Sequence, residues 1–156
     1  MKFQDIKKLY SKKDSMHNWN HILRIKKAIK ILKEPYKELD ESLLKFLINF
    51  HGLKDYVKKN KEEFNKEYVK LLLRHNRKPV KIEEKLVFDA NMLDNMGKQG
   101  IKKALAYGKA IGRSEEDSYK YLKKSLRKVK LYTKKGKEIQ KNHLINFINK
   151  TNLSII

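Results

Sequence analysis

At 156 residues with a 40% apolar fraction, the chain is long enough to bury one core, and its size predicts a single domain. Its 39 Lys and Arg against 18 Asp and Glu give a net charge of +21, a field that concentrates polyanions and speeds their association. The absence of cysteine excludes disulfides and thiolate metal sites, and no stretch approaches the roughly 20 apolar residues of a membrane span.

Helical periodicity runs through the chain and predicts an all-α, compact single-domain bundle over residues 1–156. Helices are expected near 2–10, 16–33, 38–51, 62–76, 81–95, 97–112, 115–131 and 134–149, with Pro35 and Pro79 in the gaps where helices should stop. The first, Met1 to Lys8 onward, has no apolar run of signal-peptide length before its next charge. A cytoplasmic protein with no membrane partner is the expectation. On the second helix His17, His21, Arg24 and Ala28 follow i, i+4, i+7, i+11, beside an apolar stripe of Ile22, Ile25, Ile29 and Leu32. Trp19 is expected to pack beside the first helix.

The third segment is apolar all round, with Leu39, Leu43, Leu44, Phe46, Leu47, Ile48 and Phe50, so it should cross the core and carry His51 inward. In the fourth, Phe64, Tyr68, Leu71 and His75 share a face that points His75 inward. Then Asp89 groups with Ile82, Leu86 and Leu93, while Asn91 and Asp94 group with Val87. Ser114 and Asp117 mark the capped start of a helix in the basic region of residues 115–150. Between Lys120 and Lys141 ten basic residues face only Glu138. Tyr119, Leu122, Leu126 and Val129 form the apolar stripe there, which leaves Lys120, Lys123, Lys124, Arg127 and Lys128 outward as a polyanion-binding surface. Tyr119, Tyr121 and Tyr132 are interleaved with these cations and could stack bases, although burial is the commoner use of tyrosine.

The order of these residues resembles the small helical branch of the HD-domain phosphohydrolases. His17-Asn18-Trp19-Asn20-His21 followed by Arg24 is similar to that family's opening His-Asp-x-x-His motif with its Arg. His51-Gly52 with Asp55 three residues on is similar to its His-Asp pair, and His75 to the histidine that ends its next helix. Asp89-Ala90-Asn91-Met92-Leu93-Asp94 with Gly97 resembles its Asp-Ala-Asp-x-Leu-Asp-x-x-Gly segment, and Leu131 to Lys137 its late Leu-x-Thr-x-x-Gly-Lys stretch.

The resemblance implies a divalent cation held by His21, His51 and late-segment groups such as Asp94, with Arg24 or His75 steadying charge on a phosphate ester. His17, Asn18, Asp55, Asp89 and Asn91 would line the pocket. Yet Gly52 and Asn91 stand where the family has its two anionic ligands, and hard cations prefer carboxylate oxygen. No cofactor, or a weakly bound divalent transition metal, is therefore expected. Three functions stay open. One is a catalytically impaired relative that binds a phosphate-bearing ligand such as a nucleotide, another an active nucleotide phosphohydrolase with an altered site, and the third a basic nucleic-acid-binding or structural protein.

Overall fold

The structure, a computed structural model, describes residues 3–13 and 18–151. Among them the regular structure is helical throughout, with α1 (Phe3–Tyr10), α2 (Trp19–Leu32), α3 (Glu41–Phe50), α4 (Lys54–Lys59), α5 (Lys66–Arg74), α6 (Ile82–Met96), α7 (Lys98–Ala110), α8 (Glu115–Lys128) and α9 (Lys134–Thr151). No helix among the described residues is long and apolar enough to cross a membrane. The all-α expectation holds, and α4, which the periodicity did not suggest, is the addition. The chain divides into two compact units, Met1–Ala90 and Asn91–Ile156.

The first unit is organised by α3. Its Leu43, Leu44, Leu47, Ile48 and Phe50 are buried, and so are Ile22, Ile25, Ile29 and Leu32 of α2 and Leu71 and Leu72 of α5, the helices packed against it. Asp40 starts α3 by accepting from the Leu43 amide at 2.9 Å, and its own amide donates to Glu83 at 2.8 Å, which ties the helix start to the first turn of α6. Phe46, Phe50, Phe64 and Tyr68 form an aromatic cluster with ring centroids 5.0–5.7 Å apart.

Glu84 gathers the turn between α5 and α6. Its buried carboxylate receives two parallel bonds from Arg74, each 2.8 Å, and the amides of Val80 at 3.2 Å and Lys81 at 2.8 Å. Burial raises its pKa, but Arg74 and the two amides outweigh that, and the net shift is downward, toward the ionised form. Such a group is stable because both carboxylate oxygens accept hydrogen bonds, Oε2 from three donors.

In the second unit α7 and α8 lie close together. A Cβ on Gly108 would collide with the Ser118 side chain, and Gly112, at φ 74°, makes the left-handed turn between the two helices. Ser114 caps α8 as the sequence implied, accepting from the Asp117 amide at 3.1 Å and donating to the Asp117 carboxylate at 2.8 Å. The late Leu131-to-Lys137 stretch has a structural purpose: Thr133 Oγ1 accepts from the Gly136 amide at 3.0 Å at the start of α9. Gln140 of α9 donates to the carbonyls of Leu126 at 3.1 Å and Val129 at 2.8 Å, closing the end of α8.

Replacing Glu84 with Gln keeps the shape but removes the charge that answers Arg74 and the two amides. The expected cost is about 2–3 kcal/mol of unfolding free energy in urea titration. A loss under 0.5 kcal/mol would show that the pair contributes nothing beyond an exposed ion pair.

Candidate functional site

Three of the histidines expected inward converge in the first unit. His21, in the first turn of α2, and His51, at the end of α3, bring their Nε2 atoms to 3.1 Å, with ring planes at 75°. His75, at the end of α5, stands with its ring centroid 6.1 Å from that of His51. All three are buried, at 2%, 7% and 0% exposure. A hydrogen bond between two imidazole Nε2 atoms requires one to donate and the other to accept, so the pair holds a single shared proton at that contact.

His75 Nδ1 lies 2.6 Å from the Leu72 carbonyl, which can only accept. The proton therefore sits on Nδ1, and Nε2 carries a lone pair with no hydrogen-bond partner among the described residues. Burial, reinforced by the charge of Lys54, lowers the His75 pKa to about 4. The imidazole is neutral at physiological pH. As a charge-steadying group it would have to act through its ring dipole and not as a cation.

Bonded to the backbone on either side of His51 is a residue that the sequence did not single out. Tyr10, the last residue of α1, is fully buried. Its hydroxyl donates to the Asn49 carbonyl at 2.7 Å and accepts from the Gly52 amide at 3.3 Å. Burial, only partly offset by the Gly52 amide, raises its pKa and keeps the phenol protonated. A Cβ at position 52 would lie 3.0 Å from Tyr10 Cε1 and 3.2 Å from its oxygen, tighter than ordinary contact. The phenol thus occupies the space that a side chain at position 52 would enter. Ile6 and Tyr10, both buried and one helical turn apart, were the signal for this inward face of α1.

Tyr10 and Trp19 pack with ring centroids 5.7 Å apart, and Lys26 Nζ stands 4.8 Å from the indole. Trp19 therefore packs against Tyr10 of α1, as the sequence suggested. On the outer side of these rings is a groove of about 690 Å³, lined by Lys7, Lys8 and Lys13 together with Asn18, Asn20 and Ser11. No carboxylate is among its described lining residues.

Asn18 is the cap of α2, its Oδ1 accepting from the Asn20 amide at 3.0 Å and the His21 amide at 3.3 Å, a task that Asn and Asp perform equally well. Arg24 is half-buried one turn beyond His21. Asp55 is exposed in the first turn of α4, where its charge suits the helix dipole. Asp89 is fully buried. Asn91 and Asp94 are half-buried residues of the second unit. His17 lies outside the described residues. Among the described residues no group of three His, Cys, Asp or Glu could hold a metal ion together.

The basic helix keeps its expected amphipathic form, with Leu122 and Leu126 buried and Lys120, Lys124, Arg127 and Lys128 exposed. Two of its cations need qualification. Lys123 is only half-exposed, and Lys120 pairs with Glu116 at 2.8 Å and approaches Asp117 at 3.9 Å. The i−4 position of Glu116 made that pairing readable in advance.

Likeness to a solved structure bears on the fold of this chain alone. The chain is similar to the crystal structure of the Lin1889 protein from Listeria innocua, with a TM-score of 0.62 and 22% identity, over 97% of this chain and 94% of that one. No protein-family model and no curated protein matches the sequence.

Two predictions come from this cluster. Between pH 6.5 and about 4 the unfolded chain takes up a proton on His75 that the folded chain refuses. Its contribution to stability should be complete above pH 6.5 and decline as pH falls toward 4, by roughly 3 kcal/mol in total. Urea titrations of wild type and His75→Gln across that range should differ in slope, and parallel pH profiles would refute the assignment. Separately, Gly52→Asp should cost about 1–3 kcal/mol by overpacking. In a Tyr10→Ala background the same change should cost much less, so strictly additive losses in a double-mutant cycle would count against the shared space.

Proposed function

We propose that this chain is a degenerate HD-type protein that binds a phosphate-bearing ligand, such as a nucleotide, without hydrolysing it. The observation that carries this reading is the seat of Tyr10 against Gly52. In the family that the sequence resembles, an aspartate at this position supplies an anionic oxygen to a divalent cation; here a neutral, buried phenol fills the space. Gly52 and the protonated Tyr10 do not suit a hard cation such as magnesium. His21 and His51 are the residues that would hold a softer transition ion, whose chemistry would be that of a Lewis acid toward a phosphoryl oxygen. Without a carboxylate from position 52, such binding would be weak.

Attraction of the ligand then falls to fixed cations. Lys7, Lys8 and Lys13 line one groove with the amide side chains of Asn18 and Asn20, beside Tyr10 and Trp19. Cations and amides supply the donors that phosphate oxygens accept from. A second reading, an active phosphohydrolase with an altered metal site, draws on the 3.1 Å approach of the two Nε2 atoms. Two imidazoles on one tetrahedral zinc stand roughly 3.3 Å apart, so the pair could serve as two ligands.

Calorimetric titration of the full-length chain with a nucleoside triphosphate separates the readings. Saturable binding is expected, weakened several-fold by Lys8→Glu combined with Lys13→Glu, with no phosphate release above background in zinc, nickel or manganese. Stoichiometric metal in protein purified without an affinity tag, together with turnover abolished by His51→Ala, would establish the hydrolase instead. Absence of nucleotide binding at low salt would reject the proposal outright.

A further inference from the structure

The second unit carries an arrangement that its charge alone does not explain. It holds sixteen Lys and Arg against five Asp and Glu, and between Asp117 and Glu138 there is no acidic residue at all. A lysine-rich surface that serves only solubility usually mixes both signs, which pair at i and i+4. Here only the start of α8 is mixed, where Glu116 and Asp117 engage Lys120. Farther along, Lys124, Arg127 and Lys128 are exposed and make no ion pair among the described residues.

Exposed aromatic rings accompany these cations. Tyr121 is 55% exposed, and the Arg113 guanidinium stands 4.5 Å from its ring centroid. Tyr107 of α7 is 61% exposed, and Tyr132, just past α8, is 42% exposed. Their positions are fixed by the backbone. Gly108 next to Tyr107 abuts Ser118, one turn before Tyr121, and the Arg113 amide donates to the Gly108 carbonyl at 2.8 Å. On α8 Tyr121, Lys124 and Lys128 follow i, i+3, i+7, so one stripe runs from the ring to two cations about 10 Å along the axis.

We propose that this α7–α8 face binds single-stranded nucleic acid, with an unpaired base stacking on Tyr121 and the adjoining phosphates lying along Lys124, Arg127 and Lys128. The partner follows from the combination. Cations in a row track a phosphate backbone of any kind, whereas a solvent-exposed ring backed by a guanidinium adds something only for a ligand with planar faces to present. A duplex keeps those faces stacked inside, so the ring selects the single strand. An anionic membrane or an acidic protein would meet the cations but not use the flat ring in this way.

The test is fluorescence anisotropy of the full-length chain with four probes: a labelled single-stranded oligonucleotide, its duplex, an abasic strand of equal length, and vesicles containing phosphatidylserine. The single strand should bind about tenfold more tightly than the abasic strand, the effect of about one stacked base, and more tightly than the duplex. Tyr121→Ala should remove that advantage and leave abasic binding unchanged, while Tyr121→Phe retains it. Lys124→Glu with Lys128→Glu should weaken both strands and flatten the dependence of log affinity on log salt. These side chains are exposed, and circular dichroism of each variant checks that the helices persist. Equal affinity for abasic and normal strands, preference for duplex or vesicles, or indifference to Tyr121→Ala would overturn the proposal. None of these outcomes depends on the histidine cluster of the first unit.

Discussion

The hydroxyl of Tyr10 is answered on both sides, by the Asn49 carbonyl and by the Gly52 amide, and this one contact organises the candidate site. It fastens α1 to the end of α3, and it satisfies backbone groups where that helix gives way to α4. Because the hydroxyl donates to one group and accepts from the other, neither polar partner is left orphaned in an apolar setting. The same ring sets the steric limit at position 52. A carboxylate there would require the ring at position 10 to give way.

His21, His51 and His75 come from three helices whose buried leucines and isoleucines set their separation, so the imidazoles inherit a position that apolar packing fixes. Neutral imidazoles tolerate such burial far better than ions do. The groove outside Tyr10 and Trp19 has the opposite character, with exposed lysines that remain hydrated. The first unit thus holds both a buried set of imidazoles and an exposed set of cations.

Much of this was readable from sequence, and the failures have physical reasons. The approach of His21 and His51 could be anticipated from the order of the motif together with the helices that carry them, one with an apolar stripe beside His21 and the other apolar all round. The cap at Ser114 and the buried stripe of α8 were legible because their partners lie within one or two turns. Helix α4 escaped because six residues are too few to show a period. Tyr10 was missed because its partners are 39 and 42 residues away, and a lone aromatic at the end of a short helix does not say what it will meet. The convergence of Arg74, Val80 and Lys81 on Glu84 likewise belongs to a turn whose path no periodic pattern describes. Asp55 looked like a pocket residue from its spacing to His51, but the unforeseen helix turned it toward solvent.

The contact between Tyr10 and Gly52 also bears on how such a sequence can change over time. Glycine and aspartate are one base substitution apart, so position 52 is open to a simple mutational step. The ring above it makes that step conditional on what occupies position 10, and a chain that first shrinks the aromatic passes through a form with a hollow core. The two positions are therefore epistatic: each is held by the other, and the order of substitutions decides which intermediates remain folded. Drift at exposed lysines meets no such barrier.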